Sequence, residues 1–508
     1  MERSLHSLMH SVGLEVPEGL ENPSINSVTC DSRYVNKGAL FLGLPGETCD
    51  GGLFWQEAFS AGAVAAVISS AASEAKPSNP NETVVVVPDP VSKWIGELIS
   101  AFCNRPSLQL SLIGVTGTNG KTTTTYLIDY LSSAVGRPSA LFGTLVNRWP
   151  SYTETSTHTT ASAQLLQEKL SLAAGAGAEI AAMEVSSHAI AQCRIAGCHF
   201  SGAVFTNLSH DHLDYHGSMN EYFSVKTRLF QKPYLDSDTP NAVVNIDNDY
   251  GFSLAQELDK QCWRCSLDQN KYGSDNVELF IDNLRITADG VTGCLNTPVG
   301  KGRFISPLIG KFNLMNLLQS VGALVQQGLP LKSMLDAIFA FPGVPGRMER
   351  ITIEEIDHNP EMPTVIVDYA HTPDALGKVL IELRPFTSRR IICVFGCGGN
   401  RDRGKRSQMG RIAAKYADLL IVTSDNPRNE EPMQIIDDIL NGIPTYKELI
   451  VEVAREQAIQ IAVSTASFGD LILIAGKGHE DYQIIGNETR FFDDKIFAQK
   501  ALREKLSQ

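Results

Sequence analysis

Leu110-Ser-Leu-Ile-Gly-Val-Thr-Gly-Thr-Asn-Gly-Lys-Thr-Thr123 is the stretch from which the rest of the chain can be organised. Its first six residues are an apolar run of strand length, and a glycine-rich turn follows. From Lys121 onward the pattern is helical. A strand that runs through such a turn into a helix start aims backbone N–H groups at a phosphate. Lys121 then supplies an ammonium for the outer phosphates and Thr122 a hydroxyl for Mg²⁺. The segment departs from G-x-x-x-x-G-K-[ST] at one position, because Val115 stands where the first glycine belongs. A strand and helix with an incidental Lys-Thr would explain the same letters. The strand-turn-helix context favours an ATP site, built from Gly117, Thr118, Asn119, Gly120, Lys121, Thr122 and Thr123.

Outward from this loop the chain alternates strands and helices. Ile180-Ala-Ala-Met-Glu-Val185, Gly202-Ala-Val-Phe-Thr206 and Asn241-Ala-Val-Val-Asn245 read as strands separated by helical stretches, which predicts a mainly parallel sheet. Before the loop, Ser27–Cys30, Ala39–Leu44 and Thr83–Pro88 read as short strands, with an alanine-rich helix around Glu57–Ala66. Two prolines and two glycines within Phe341–Gly346 form a breaker and a candidate hinge. Beyond it, strands at Pro363–Asp368, Arg390–Phe395, Leu419–Thr423 and Leu471–Ala475 each end in a polar or glycine-rich loop, where parallel sheets bind ligands. The expectation is an α/β protein of three domains. A small N-terminal α/β domain (1–107) and a Rossmann-like C-terminal domain (345–508) flank a central P-loop-type domain with a mainly parallel sheet (108–344).

At 508 residues the chain exceeds one core, and a prior of about 150 residues per domain gives roughly three. Hydrophobic residues at 43% and charged residues at 20% are ordinary for a globular protein. A net charge of −14 argues against coating nucleic acid, which requires clustered Lys and Arg. No window approaches a membrane span and the N-terminus lacks a signal-peptide core, so a cytoplasmic protein is expected. Ten cysteines without matched histidine spacing read as reduced thiols rather than a zinc site.

The loop Gly117–Thr122 resembles the phosphate loop of the Mur ligase family. Other segments that resemble the family follow in order: Met183-Glu-Val-Ser-Ser-His188, Thr206–His216, Gly310-Lys-Phe-Asn-Leu-Met-Asn316, Pro345-Gly-Arg-Met348 and Asp368-Tyr-Ala-His-Thr-Pro373. The resemblance implies an ATP- and Mg²⁺-dependent ligase that activates a carboxylate as an acyl phosphate and joins it to an amine. It assigns Lys121, Glu184, His212 and Lys226 to catalysis, and Thr122, Glu184, His212 and a carbamate on Lys226 to the metal. Asn313, His371 and Arg347 fall in segments that resemble those around adenine, ribose and the interdomain linker. By its residues alone, Glu184 is a strand-end carboxylate in need of a cation, or else a cap. Lys226, in Glu221–Phe230, reads as a surface lysine on an amphipathic helix.

In the first domain Ser32, Glu47, Thr48 and Cys49 could be turn chemistry; the resemblance makes them contacts to a uridine diphosphate group. It likewise assigns Thr159, Thr160, Ser186, Gln192 and Arg194 to a muramoyl-dipeptide. In the third domain Phe395-Gly-Cys-Gly-Gly-Asn-Arg401 fails the dinucleotide fingerprint, because Arg401 occupies its third glycine position. A basic loop of Arg401, Arg403, Lys405 and Arg406 for an anionic substrate fits better. Asp425-Asn-Pro-Arg428 resembles the signature of the family's meso-diaminopimelate-adding branch. Arg428 would fork onto the distal carboxylate, and Glu480 in Gly476-Lys-Gly-His-Glu480 would accept the ammonium. Asp425, Asn426, Pro427 and Gly476 complete that set with Arg401. Lysine lacks the distal carboxylate and would leave Arg428 unpaired, at about 1–3 kcal/mol. A lysine-adding relative should lack the arginine, and a folate-polyglutamate ligase should lack the uridine-diphosphate domain. A P-loop ATPase of another class would turn over ATP without forming an amide. The substrates expected are therefore ATP, a UDP-muramoyl-dipeptide and meso-diaminopimelate, handled by a monomer.

Overall fold

The computed structural model describes residues 2–46, 48–79, 81–236, 239–271, 276–287, 290–353, 362–445 and 448–507. Two compact units emerge, Met1–Phe280 with Asn296–Gly300 and Met315–Met334, and Ile281–Leu295 with Lys301–Leu314 and Leu335–Gln508.

In the first unit a four-stranded parallel sheet runs in the order Ser27–Thr29, Ala39–Leu42, Ala63–Ile68, Val84–Val86. The helix expected around Glu57–Ala66 is corrected here. It occupies Trp55–Ser60, and Ala63–Ile68 is a strand. Gly62, at φ +112°, ends the helical path. Beyond it the strand is buried on both faces, with Ala65 and Val67 in one core and Ala63, Ala66 and Ile68 in the other. Alanine's helix propensity is a weak bias that such burial overrides.

The larger sheet of this unit has at its centre six parallel strands in the order Ser139–Phe142, Ile180–Glu184, Ser111–Thr116, Gly202–Phe205, Ala242–Asn245, Cys262–Ser266. A hairpin, Val146–Trp149 and Tyr152–Thr155, extends it antiparallel beside Ser139–Phe142. The chain leaves Ser111–Thr116 toward one side and later returns on the other. That strand is therefore the topological switch point, where a crevice opens at the carboxyl ends. The ends of Ile180–Glu184 and Gly202–Phe205 flank it directly.

The second unit carries a six-stranded sheet in the order Glu349–Ile351, Thr364–Asp368, Leu471–Ala475, Ile391–Phe395, Leu419–Val422, Glu448–Val451, parallel except for its first strand. Its side chains follow the period of two. Ile391, Cys393 and Phe395 enter one core, and Ile392 and Val394 the other. Each such Val, Ile or Phe stabilises by roughly 1.5–3 kcal/mol when fully buried. Helices such as Pro373–Leu383 and Gly404–Tyr416 on one face, and Arg455–Thr465 and Asp494–Leu506 on the other, cover both layers. No helix among the described residues is long and apolar enough to cross a membrane.

Candidate functional site

The helix Lys121–Ala134 begins directly after a loop whose two glycines take left-handed backbone, Gly117 at φ +146° and Gly120 at φ +89°. A Cβ on Gly117 would stand 1.9 Å from Thr206 Oγ1, and one on Gly120 would stand 2.4 Å from Asn316 Oδ1. Both positions therefore demand glycine for conformation and for space. Val115 does not. It lies inside the strand, fully buried, paired with Glu184 and Val204, and its carbonyl accepts from Val185 N. The turn starts two residues later than the standard pattern assumes, so that pattern's first glycine has no task here.

The loop is braced from the next strand end. Thr118 N donates to Asn207 O at 2.9 Å, Asn119 N to Asn207 Oδ1 at 3.1 Å, and Thr206 Oγ1 to Asn119 O at 2.6 Å. Lys121 Nζ folds back onto the carbonyls of Gly117 and Thr118, each at 2.9 Å.

Glu184 is 1% exposed at the end of its strand. Its carboxylate accepts from Thr144 N at 2.9 Å, Thr144 Oγ1 at 3.0 Å and Thr122 Oγ1 at 3.2 Å. The preceding Gly143 makes room, since a Cβ there would meet Glu184 Oε1 at 2.4 Å. Thr144 was not foreseen. It follows an ordinary apolar strand, Ser139–Phe142, and only the sheet order places that strand beside Glu184.

Lys226 overturns its surface reading. On the helix Met219–Thr227 it is 1% exposed, with Nζ donating to Gly117 O at 2.9 Å and Thr116 Oγ1 at 3.5 Å. Its Nζ also lies 4.7 Å from the centroid of the Tyr222 ring, whose hydroxyl is 3.2 Å from Thr118 Oγ1. Burial, then the nearby Lys121 charge, holds its amine well below the ordinary lysine range. Two lysines thus converge on one carbonyl beneath the phosphate loop.

His212 adopts φ +53° and packs its ring against His188 at 4.9 Å, while His216 bonds Ser187 Oγ at 2.8 Å. No group of three or more His, Cys, Asp or Glu among the described residues is arranged to hold a metal ion. Glu184 with the Thr122 hydroxyl beside it suits a different donor set. Mg²⁺ is commonly held by one or two carboxylates, with substrate phosphates and waters completing the shell.

The residues expected to contact a muramoyl-dipeptide meet around Thr160. Its Oγ1 donates to Glu184 O at 2.8 Å and accepts from Ser186 N at 3.1 Å. Arg194 Nη1 donates to Thr160 O at 3.1 Å and Arg194 Nε to Gln192 Oε1 at 2.9 Å. Thr159 joins through Thr144, Oγ1 to Oγ1, at 3.1 Å. Ser32 starts a short 3₁₀ turn capped by Asp31, and Thr48 and Cys49 sit in an exposed loop closed by a Pro45–Asp50 bridge. Glu47 lies outside the described residues.

In the second unit Gly396 and Gly399 let two loops touch. A Cβ would stand 2.3 Å from Thr423 O at the first and 1.9 Å from Pro427 O at the second. Arg428, at φ +53°, donates from Nη1 to Gly399 O at 2.9 Å and pairs its backbone with Ile484 and Gly486. Asn426 Nδ2 donates to Glu480 Oε2 at 2.9 Å. A Cβ on Gly476, at φ +115°, would reach Asp425 Oδ2 at 2.7 Å, so these motif residues gather at the carboxyl ends of two strands. Arg347 lies over the Tyr369 ring at 4.5 Å, and His371 Nδ1 bonds Tyr369 O at 2.9 Å. Asn313 Nδ2 donates to Ile309 O at 2.8 Å.

The basic loop needs correction. Arg406 is fully buried between Glu430 and Asp438, each at 2.9 Å, and Arg403 also bonds Glu430. Arg406 is thereby committed to the fold of its own loop, while Arg403 makes its ion pair from a largely exposed side chain. Arg401 is exposed.

A phosphate loop at the switch point of a parallel sheet, followed in the chain by a second parallel α/β sheet, defines a P-loop-type nucleotide-handling protein. The sequence matches the Mur ligase family catalytic domain over residues 24–103, the Mur ligase middle domain over 115–324, and the Mur ligase glutamate ligase domain over 346–478. It is 58% identical over 506 residues to the UDP-N-acetylmuramoyl-L-alanyl-D-glutamate–2,6-diaminopimelate ligase of Prochlorococcus marinus (strain MIT 9313), covering 100% of both chains. The enzyme of the same name from Thermosynechococcus vestitus (strain NIES-2133 / IAM M-273 / BP-1) is 49% identical over 499 residues, 97% of each chain. A solved structure of a ligase of that name matches at TM-score 0.74 and 34% identity, covering 100% of both chains. The chain belongs to the Mur ligase family and is an ATP-dependent, amide-forming ligase.

Proposed function

We propose that the chain adds meso-2,6-diaminopimelate to the D-glutamyl γ-carboxylate of UDP-N-acetylmuramoyl-L-alanyl-D-glutamate, a step in peptidoglycan precursor synthesis. The observation that carries this reading is the set Asn426, Arg428 and Glu480, gathered by two strand ends into one cluster. An arginine and a carboxylate are what a distal amino-acid group requires.

The loop N–H groups and Lys121 bind the phosphates of ATP at the helix start. An oxygen of the γ-carboxylate attacks the γ-phosphorus, forming an acyl phosphate and releasing ADP. The neutral amine of diaminopimelate then attacks the acyl carbon, phosphate leaves, and the amine's extra proton is lost. Lys121 gives up its loop carbonyls to meet the charge that develops on the phosphoryl oxygens. Glu184, Thr122, His212 and a carbamate on Lys226 would hold Mg²⁺, which when bound supplies charge neutralisation for the phosphates. Carbamate formation requires a neutral amine, and the depressed basicity of Lys226 supports it. Thr159, Thr160, Ser186, Gln192 and Arg194 hold the muramoyl-dipeptide, and Ser32, Glu47, Thr48 and Cys49 its nucleotide. Asn313, Arg347 and His371 bind ATP, and Arg401, Asp425, Pro427 and Gly476 complete the diaminopimelate site.

We further infer domains at 1–107, 108–344 and 345–508, with the three family matches falling inside these bounds. A cytoplasmic monomer is proposed, in keeping with soluble small-molecule substrates. The decisive experiment supplies purified protein with ATP, the UDP-muramoyl-dipeptide and either diaminopimelate or lysine, and weighs the products. Amide formation with diaminopimelate alone is the expected result. Equal incorporation of lysine would overturn the reading of Arg428.

A further inference from the structure

Lys477 is a fully buried lysine to which the mechanism above gives no task. Its Nζ donates to Asn426 Oδ1 at 3.1 Å and to Glu480 Oε2 at 3.5 Å, and lies 5.4 Å from the Tyr482 ring centroid. Asn426 Oδ1 also accepts from Ile484 N at 3.0 Å. An ammonium and a backbone N–H are donors only, so both demand that the amide present its oxygen to them. The amide nitrogen is thereby forced toward Glu480, where Nδ2 donates to Oε2. One carboxylate oxygen of Glu480 is thus held by two donors, while Oε1 accepts from none of the described residues.

The electrostatic setting agrees. Burial lowers the Lys477 amine below the ordinary lysine range, with the Arg455 charge adding to it, and Asp425 and Glu480 oppose that shift as neighbouring negative charges. Burial raises the Glu480 carboxyl and Lys477 counters it. The cluster is backed by the fully buried ion pair Arg455–Asp494, whose guanidinium also holds the carbonyls of Ser424 and Ala475 at both strand ends. Rotation of Glu480 or of the Asn426 amide would strand a buried donor, at a cost that fixes both side chains.

We propose that Lys477 is a positioning residue for amine specificity: it sets the orientation of Asn426 and, through it and directly, pins Glu480 with one oxygen left for the distal ammonium of the incoming amino acid. This rests on the reading of Glu480 as that ammonium's acceptor. Without the lysine, Glu480 loses one donor and its orientation, and the ammonium contact weakens while Arg428 still meets the distal carboxylate.

The test compares diaminopimelate with 2-aminopimelate, which keeps the distal carboxylate and lacks the distal ammonium. Wild type is expected to prefer diaminopimelate in kcat/KM. Lys477→Met should raise KM for diaminopimelate about tenfold, with KM for ATP and for the UDP substrate within about twofold, and narrow the preference by a similar factor. In Lys477→Met/Glu480→Gln the preference should equal that of Glu480→Gln alone, because one residue acts through the other. Should Lys477→Met not fold, Lys477→Gln, whose uncharged side chain is one atom shorter than the lysine that reaches both Asn426 Oδ1 and Glu480 Oε2, carries the same comparison. A lysine variant that retains the wild-type preference, raises KM for all three substrates together, or adds to Glu480→Gln independently overturns the proposal. A wild type indifferent to the distal ammonium would instead refute the assignment of Glu480, and with it the reading beneath.

Discussion

Two glycine-rich loops follow parallel strands in this chain, and they use glycine for opposite ends. In Gly117–Gly120 the two glycines twist the backbone through left-handed conformations, so that the loop ends directly at the start of the helix Lys121–Ala134. In Gly396–Gly399 neither Gly396, Gly398 nor Gly399 has a left-handed φ, and the helix begins only at Gly404. There the missing side chains admit a neighbouring loop, with Pro427 O and Arg428 Nη1 filling the space. One loop uses glycine for conformation at a helix start, and the other uses it for close approach of the Asp425–Arg428 loop, which under the proposed function are the cradle for ATP and the seat of the selecting residues. Similar punctuation in a sequence therefore does not fix a similar task.

The contrast is broken most severely at the cradle. Replacing Lys226 with alanine removes the amine under Gly117 O, and ligase activity should fall about 10²–10³-fold, with partial recovery in added short carboxylates. Full activity without such anions would rule out the carbamate role. Gly117→Ala should come next. The added Cβ would clash with Thr206 Oγ1 on a left-handed backbone, at about 1–3 kcal/mol of strain. A lower melting temperature and weaker ADP binding by calorimetry are expected, and unchanged values for both would show that the loop relaxes freely.

At the seat the effects should be selective rather than general. Arg428→Ala is expected to shrink the preference for diaminopimelate over lysine about 10- to 100-fold while leaving ATP binding alone. A variant as discriminating as wild type would return Arg428 to a purely structural role through Gly399 O.

The smallest effect is one of pH. Burial, then the charge of Arg347, lowers His479 to about 4 from 6.5. The unfolded chain therefore binds a proton that the folded chain refuses between these values. Stability present above pH 6.5 is lost as pH falls toward 4. His479→Gln should flatten that part of a melting-temperature profile, and an unaltered slope would mean that other groups carry it.

Much of this was legible in the letters. Four strands of each larger sheet, the phosphate loop, Glu184 and the Asp-Asn-Pro-Arg segment stand where periodicity and motif place them, whereas Ser139–Phe142, Cys262–Ser266, Glu349–Ile351 and Glu448–Val451 carry no pattern strong enough to be read as strands. The misreadings share a cause. Ala63–Ile68 is a strand because burial on two faces outweighs alanine's helix bias, and Lys226 is buried because its helix packs beneath a loop about 110 residues earlier. Arg406 was read as a free cation, and only the fold brings Glu430 and Asp438 to it.

The sequence by itself determined which groups exist and what each local segment prefers, since turn chemistry, period and strand length are properties of a few adjacent residues. The tertiary structure alone decided that Thr144 binds Glu184, that two lysines share Gly117 O, and that Lys477 orients Asn426. Those contacts depend on sheet order and on the low dielectric of a packed interior, where a donor without an acceptor is costly, and neither is written in spacing along the chain.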